Sequence, residues 1–149
     1  MTGVIDAAAA ALGSLAVRDA PFGARTTYRV GGTAALLVEV ADTAVLARVA
    51  AVTSETGIDV VVVGKGSNLL VADAGFDGLA LVLGESFAEV TIDGTVVRAG
   101  GSAALPVVAR RTVAAALTGW AGTRFATGAT STPEAATSTA TAPDSTRPA

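Results

Sequence analysis

A run of valines at positions 60–63 leads directly into Gly64, Lys65, Gly66, Ser67, Asn68 and Leu69. Glycines at the mouth of an apolar strand leave the backbone bare. Consecutive bare amides bind anions: glycine accepts backbone angles that other residues avoid, the N–H dipoles converge, and the Ser and Asn side chains add hydrogen bonds. The chemistry on offer is recognition of a phosphate or diphosphate. Two better-known phosphate templates fail. A P-loop needs G-x-x-x-x-G-K-[ST], but Asp59 stands at its first glycine and Gly66 follows the lysine. The fingerprint G-x-G-x-x-G needs a glycine at Leu69 and a helix straight after, whereas "NLLVAD" over 68–73 reads as extended. An anion nest and a plain turn at a strand end remain, and spacing alone does not separate them.

The residue types that are missing narrow the chemistry further. There is no cysteine and no histidine, which excludes disulfides, thiolate nucleophiles, Ser-His-Asp triads and Cys or His zinc sites. Carboxylates, hydroxyls, arginines, backbone amides and Lys65, the only lysine, are left. A bound cofactor is therefore the favoured source of any difficult chemistry. The net charge is −3 and the arginines are scattered, which argues against nucleic acid as a partner. No run approaches the roughly 18 apolar residues of a membrane span. The N-terminal "MTGVIDAAAAALGSLAV" lacks a basic start and carries Asp6 inside its apolar run, unlike a secretory signal. These features place the chain in the cytoplasm with no membrane partner.

The elements that must hold the glycine loop follow from periodicity. With 149 residues, 51% apolar and 15% charged, the chain is one domain, or one domain and a tail. Residues 4–13 are alanine-rich and predict a short helix ending near Gly13. Residues 21–32 form an irregular or extended entry that stops at a glycine pair, and 34–40 predict a strand. Asp42 caps a helix in which Val45, Leu46, Val49 and Val52 recur at helical spacing, and Gly57 ends it. Residues 59–63 are the next strand, giving a right-handed parallel crossover of strands buried on both faces. A turn at 74–78 and a strand at 79–83 follow, then a hairpin centred on Asp93-Gly94. Residues 103–117 predict an amphipathic helix with Leu105, Val108 and Val113 on one side and Arg110 and Arg111 on a solvated face. The fold class is α+β, a parallel β-α-β unit followed by the start of an antiparallel unit. From Ala121 onward Ala, Thr, Ser, Pro and Gly dominate, a composition expected to be disordered because it buries too little surface to offset ordering.

Three stretches, "TTYRVGGTAALLVEVAD", "VVVVGKGSNLLVADAGFDGLALVL" and "VVRAGGSAALPVVARRTVAAALTGW", resemble in order and spacing the N-terminal part of the UDP-N-acetylenolpyruvoylglucosamine reductases. The resemblance covers residues 26–120. It implies an incomplete FAD-binding fold of the vanillyl-alcohol-oxidase type: an N-terminal extension at 1–24, the FAD-binding part at 25–120 and a disordered tail at 121–149. It implies FAD as cofactor and NADPH as co-substrate, in a reaction that makes UDP-N-acetylmuramate. Gly64, Lys65, Gly66, Ser67, Asn68 and Leu69 then fall on the family's pyrophosphate loop. Gly100 and Gly101 fall on a segment near the flavin, with a tight strand-to-helix turn as the alternative. Arg29 and Asp73 match as structural residues. The family's proton-donating serine and its assisting arginine and glutamate have no matching position, and a UDP-sugar is a partner only of the full-length family. The change of character after Trp120, with one lysine among many arginines, reads as a frame shift in a GC-rich gene. An N-terminal fragment that does not reduce the enolpyruvyl sugar alone is the expectation. The rivals are a non-catalytic FAD or nucleotide module, an unfolded pseudogene product, or another oxidase of this fold.

Overall fold

In the first unit, residues 1–86, an apolar strand covered on both faces organises the packing. The computed structural model describes residues 2–117, 120–123 and 137–140. β2 (Ala34–Val40) lies inside a four-stranded sheet of order β1-β2-β4-β3, formed with β1 (Ala16–Ala20), β3 (Val60–Val63) and β4 (Phe76–Leu83). Leu36, Val38 and Val40 are fully buried and Leu37 nearly so. An unbroken apolar sequence is what a strand covered on both faces needs. β4 pairs in parallel with both β2 and β3, while β1 pairs antiparallel with β2. The expected strand–helix–strand succession is present, but β4, later in the chain, occupies the place between its two strands.

α2 (Thr43–Thr56) makes that crossover, and its ends follow the sequence reading. Asp42 Oδ1 accepts from the Val45 amide at 2.9 Å, satisfying one of the donors that a helix start leaves unpaired. Gly57 closes the helix at φ 66°, its amide donating to the Thr53 carbonyl, the left-handed stop that glycine permits. α1 (Thr2–Leu12) packs on α2 and places Ala8 and Leu12 in the core with no exposed surface. The segment read as an N-terminal extension is thus built into this unit, and it also supplies β1. That strand is only five residues long, and Asp19 within it sits at φ 48°. Both features blur the alternation by which strands are recognised.

Loops close the other face of the sheet. Ala20, Phe22, Ala34, Leu37, Val63, Val71 and Ala80 form one buried cluster, flanked by Val61, Leu69, Phe76 and Val82. The Phe22 and Phe76 rings meet at a tilt, centroids 6.3 Å apart, within the range of favourable aromatic pairs. Residues 68–73, read as extended, form no strand. Leu69 and Val71 instead turn inward to this cluster.

The second unit, residues 87–149, opens with the hairpin β5 (Val90–Asp93) and β6 (Val96–Ala99). Its register pairs Asp93 with Val96, so the turn residues are Gly94 and Thr95, one position later than expected. Gly94 at φ 56° stands first in the turn, the place a II′ hairpin reserves for glycine. α3 (Leu105–Ala114) is shorter than the expected helix and buries a different stripe. Val108 and Thr112 face inward, and Val90, Val97, Val108 and Leu117 make the core, whereas Leu105 and Val113 are exposed. Thr112 tolerates burial because its hydroxyl donates to the Ala109 carbonyl at 2.8 Å. Nor is Arg111 merely solvated: its Nη1 donates to the Val90 carbonyl at 2.5 Å.

The antiparallel sheet does not stop at Trp120. β7 (Trp120–Thr123) and β8 (Thr137–Ala140) extend it to the order β5-β6-β8-β7, with Val97 opposite Ser138. This corrects the expectation of disorder for those residues; 124–136 and 141–149 lie outside the described residues. Backbone ladders accept threonine readily, so a tail poor in large apolar side chains can still contribute strands. No helix among the described residues is long and apolar enough to cross a membrane.

Replacing Asp42 with alanine should cost about 1 kcal/mol of stability, and Asp42→Ser much less, since serine caps comparably. Urea denaturation midpoints measure both. Equal loss in the two variants would mean that the cap does not hold α2.

Candidate functional site

Val63 is the last residue of β3, buried against β4, and the chain leaves the sheet at Gly64. Gly66 then takes φ 63° and is buried. A Cβ placed on it would overlap the Arg25 carbonyl oxygen and lie 3.0 Å from Thr26 Cα. The loop is therefore pressed backbone to backbone on the turn that precedes β2. The Thr27 amide donates to the Gly66 carbonyl at 3.0 Å and fixes that contact.

The turn is itself stitched to a third segment. The Gly23 amide donates to the Gly32 carbonyl at 3.0 Å, the Gly32 amide to Ala72 at 2.9 Å, and the Phe76 amide to Thr33 at 2.8 Å. Residues 22–33, 64–69 and 71–76 form one backbone-rich knot, and the "RVGG" and "DAGFDG" stretches are the two parts that carry the loop. Arg29 has φ 54°, unusual for a residue with a side chain. Its amide is held at 3.2 Å by both the carbonyl and the hydroxyl of Thr26. The Asp73 side chain is exposed, and its carbonyl oxygen lies against Gly32.

On its outer side the loop presents donors. Ser67 and Asn68 are exposed, while Leu69 anchors the loop to the apolar cluster. Among the described residues, the amides of Lys65, Gly66, Ser67 and Asn68 donate to no protein acceptor. Four successive amides without a partner, around a residue of positive φ, are the donor set of an anion nest. The ammonium of Lys65 pairs with the Glu85 carboxylate, and both side chains are well exposed, so this pair is weak and screened. The donors that the loop offers are therefore chiefly backbone dipoles. Such a donor set fits the diphosphate of a dinucleotide.

Gly100 and Gly101 lie in the second unit, between β6 and α3. The Ala103 amide donates to the Gly100 carbonyl at 2.9 Å, which makes the segment a tight turn, and the Gly100 amide is engaged by the Glu89 carbonyl at 2.8 Å. A side chain at Gly100 would overlap the Phe87 carbonyl. The glycine at 100 is thus explained by packing inside this unit. Among the described residues no group of three His, Cys, Asp or Glu could hold a metal.

Two features near the loop were not legible in the sequence. Thr26 is a buried hydroxyl, 4% exposed, in a stretch read only as an irregular entry. A groove of about 340 Å³ lies over Val17 and Leu37, bordered by Arg25 and Glu39, whose Nη2 and Oε1 are 2.5 Å apart. Nothing in the spacing of residues 25 and 39 announces that pair, because it depends on how the turn folds back on β2.

Four free amides after a parallel strand, in an α+β chain, are donors of the kind an anion takes, and comparison with known proteins gives the class of the chain. The family model described as FAD binding domain matches residues 34–147, more than half of the chain. The chain belongs to the FAD-binding domain family. Among individual proteins, it is 43% identical to UDP-N-acetylenolpyruvoylglucosamine reductase 2 of Symbiobacterium thermophilum over 94 residues, 63% of this chain and 30% of that protein. It is 43% identical over 109 residues to the reductase of Parvibaculum lavamentivorans, 73% of this chain and 34% of that protein. It is 40% identical over 130 residues to that of Azorhizobium caulinodans, 85% of this chain and 42% of that protein. The chain spans about a third of the length of the curated relatives it matches. The family match runs well past Trp120, through the region in which β7 and β8 lie.

Gly57 and Gly66 provide a matched pair for testing the loop contact. Both have positive φ, 66° and 63°, but a Cβ on Gly57 meets nothing within 4 Å. Gly57→Ala should cost about 1 kcal/mol, the conformational part alone. Gly66→Ala should cost more, by about 1–3 kcal/mol of overpacking, in urea denaturation. Equal costs would mean that the loop does not rest on Arg25.

Proposed function

We propose that residues 64–69 bind the diphosphate of FAD, and that this chain is the flavin-holding part of a UDP-N-acetylenolpyruvoylglucosamine reductase. The observation that carries the reading is the run of free amides at Lys65, Gly66, Ser67 and Asn68 around a buried glycine of positive φ. A diphosphate satisfies these donors together and needs no metal to do so. The names of the relatives support the choice of reaction. When bound, the flavin would supply hydride transfer from NADPH to the enolpyruvyl double bond of a UDP-sugar.

The residues present contribute binding and orientation. Gly66 sets the loop's depth through its contact with Arg25, the exposed Ser67 and Asn68 side chains stand beside the free amides, and Leu69 ties the loop to the sheet. Lys65 would add attraction for the anion only as its pairing with Glu85 loosens. The role that the resemblance gives to Gly100 and Gly101 beside the flavin is a separate proposal for the second unit. The groups that would protonate the substrate and hold the UDP-sugar belong to the whole protein.

Fluorescence titration of FAD tests the reading. The chain should quench FAD saturably, excess inorganic pyrophosphate should compete, and Gly66→Val should weaken binding by about tenfold or more, the scale of one lost charge-assisted contact. Tight binding that ignores both the competitor and the substitution would place the flavin elsewhere.

A further inference from the structure

Thr26 is a buried side chain beside the loop. It is 4% exposed, and its hydroxyl is used twice: it donates to the Gly23 carbonyl at 2.9 Å and accepts from the Arg29 amide at 3.2 Å. These bonds span the turn from one end to the other. Inside the turn, Arg29 is held at φ 54°, a conformation that costs on the order of 1 kcal/mol or more for a residue with a side chain and persists only where its surroundings enforce it. Outside the turn, the Arg25 carbonyl and Thr26 Cα form the surface on which Gly66 rests, and the Thr27 amide reaches across to the Gly66 carbonyl.

We infer that Thr26 is a positioning residue for the proposed diphosphate loop, its hydroxyl locking the turn in the shape on which Gly66, in the midst of the free amides, rests. This rests on the flavin reading of the loop for its consequence and on local geometry alone for its mechanism. The backbone would pair part of the turn without the hydroxyl, since the Thr26 amide donates to Gly23 at 3.1 Å and the Arg29 amide to the Thr26 carbonyl at 3.2 Å. A chain lacking only the hydroxyl should therefore fold with a looser turn. A buried hydroxyl with two partners does not need to be threonine, so serine should serve.

The test compares the 149-residue chain with Thr26→Val, which keeps the shape, and Thr26→Ser, which keeps the hydroxyl. Hydrogen exchange of the Thr27 amide reads the docking of the loop without any ligand. It should speed up by about tenfold in Thr26→Val and return to the parent rate in Thr26→Ser, while amides inside α2 stay unchanged. FAD affinity, corrected for the folded fraction, should fall by about tenfold in Thr26→Val and recover in Thr26→Ser. Unchanged exchange at Thr27 in Thr26→Val would overturn the proposal, as would exchange that speeds up equally throughout the chain. If exchange responds as expected but no variant binds FAD, the positioning role stands and the flavin reading falls.

Discussion

Contact between two stretches of bare backbone, Gly66 against the Arg25–Thr26 peptide, is the constraint on which the proposed diphosphate site depends. A side chain at Gly66 would have to push that peptide aside. Everything around it serves to keep the contact in place. The "RVGG" segment is bonded to Ala72, Thr33 is bonded to Phe76, and Leu69 and Val71 fill the apolar cluster beneath. An anion receptor made of amides has to be preorganised, because each dipole is worth little unless it already points at the charge. In the proposed site the knot would provide that order through backbone bonds and apolar packing.

The electrostatics suit the proposed receptor built from dipoles. The chain's only lysine sits in the loop, but its charge is offset by Glu85, and the net charge is −3. A diphosphate meets little long-range attraction here. Its binding would depend on short contacts, which are less sensitive to salt than a cluster of lysines would be. A proposed site of this kind needs glycine where a phosphate site based on cations would not.

Much of the fold was legible because local rules decided it. Asp42 and Gly57 bounded α2, and an aspartate–glycine pair placed the hairpin within one residue. The valines of 60–63 marked a strand but not its burial: β3 lies at the edge of the sheet with Val60 and Val62 exposed, because β4 takes the inner place. What was missed depended on contacts between distant residues. β1 exists because it has β2 to pair with, and β4 enters between β2 and β3 although it follows both. Thr112 took a core position that polarity alone would have denied it, and β8 pairs with β6 and β7 with β8, partners that their own composition does not announce. At the site, the position of the loop could be read from glycine spacing. Its support could not, since Thr26 and the Arg25–Glu39 pair matter only after residues 22–33 fold over the loop.

Amide chemical shifts during a titration with inorganic pyrophosphate test the central claim most directly, because they report on each N–H separately and need no intact reaction. The account predicts that Lys65, Gly66, Ser67 and Asn68 shift most and saturate together, while amides within β3 and β4 and the engaged amide of Gly100 move little. Saturable shifts that leave those four amides unmoved and gather elsewhere in the chain would contradict it.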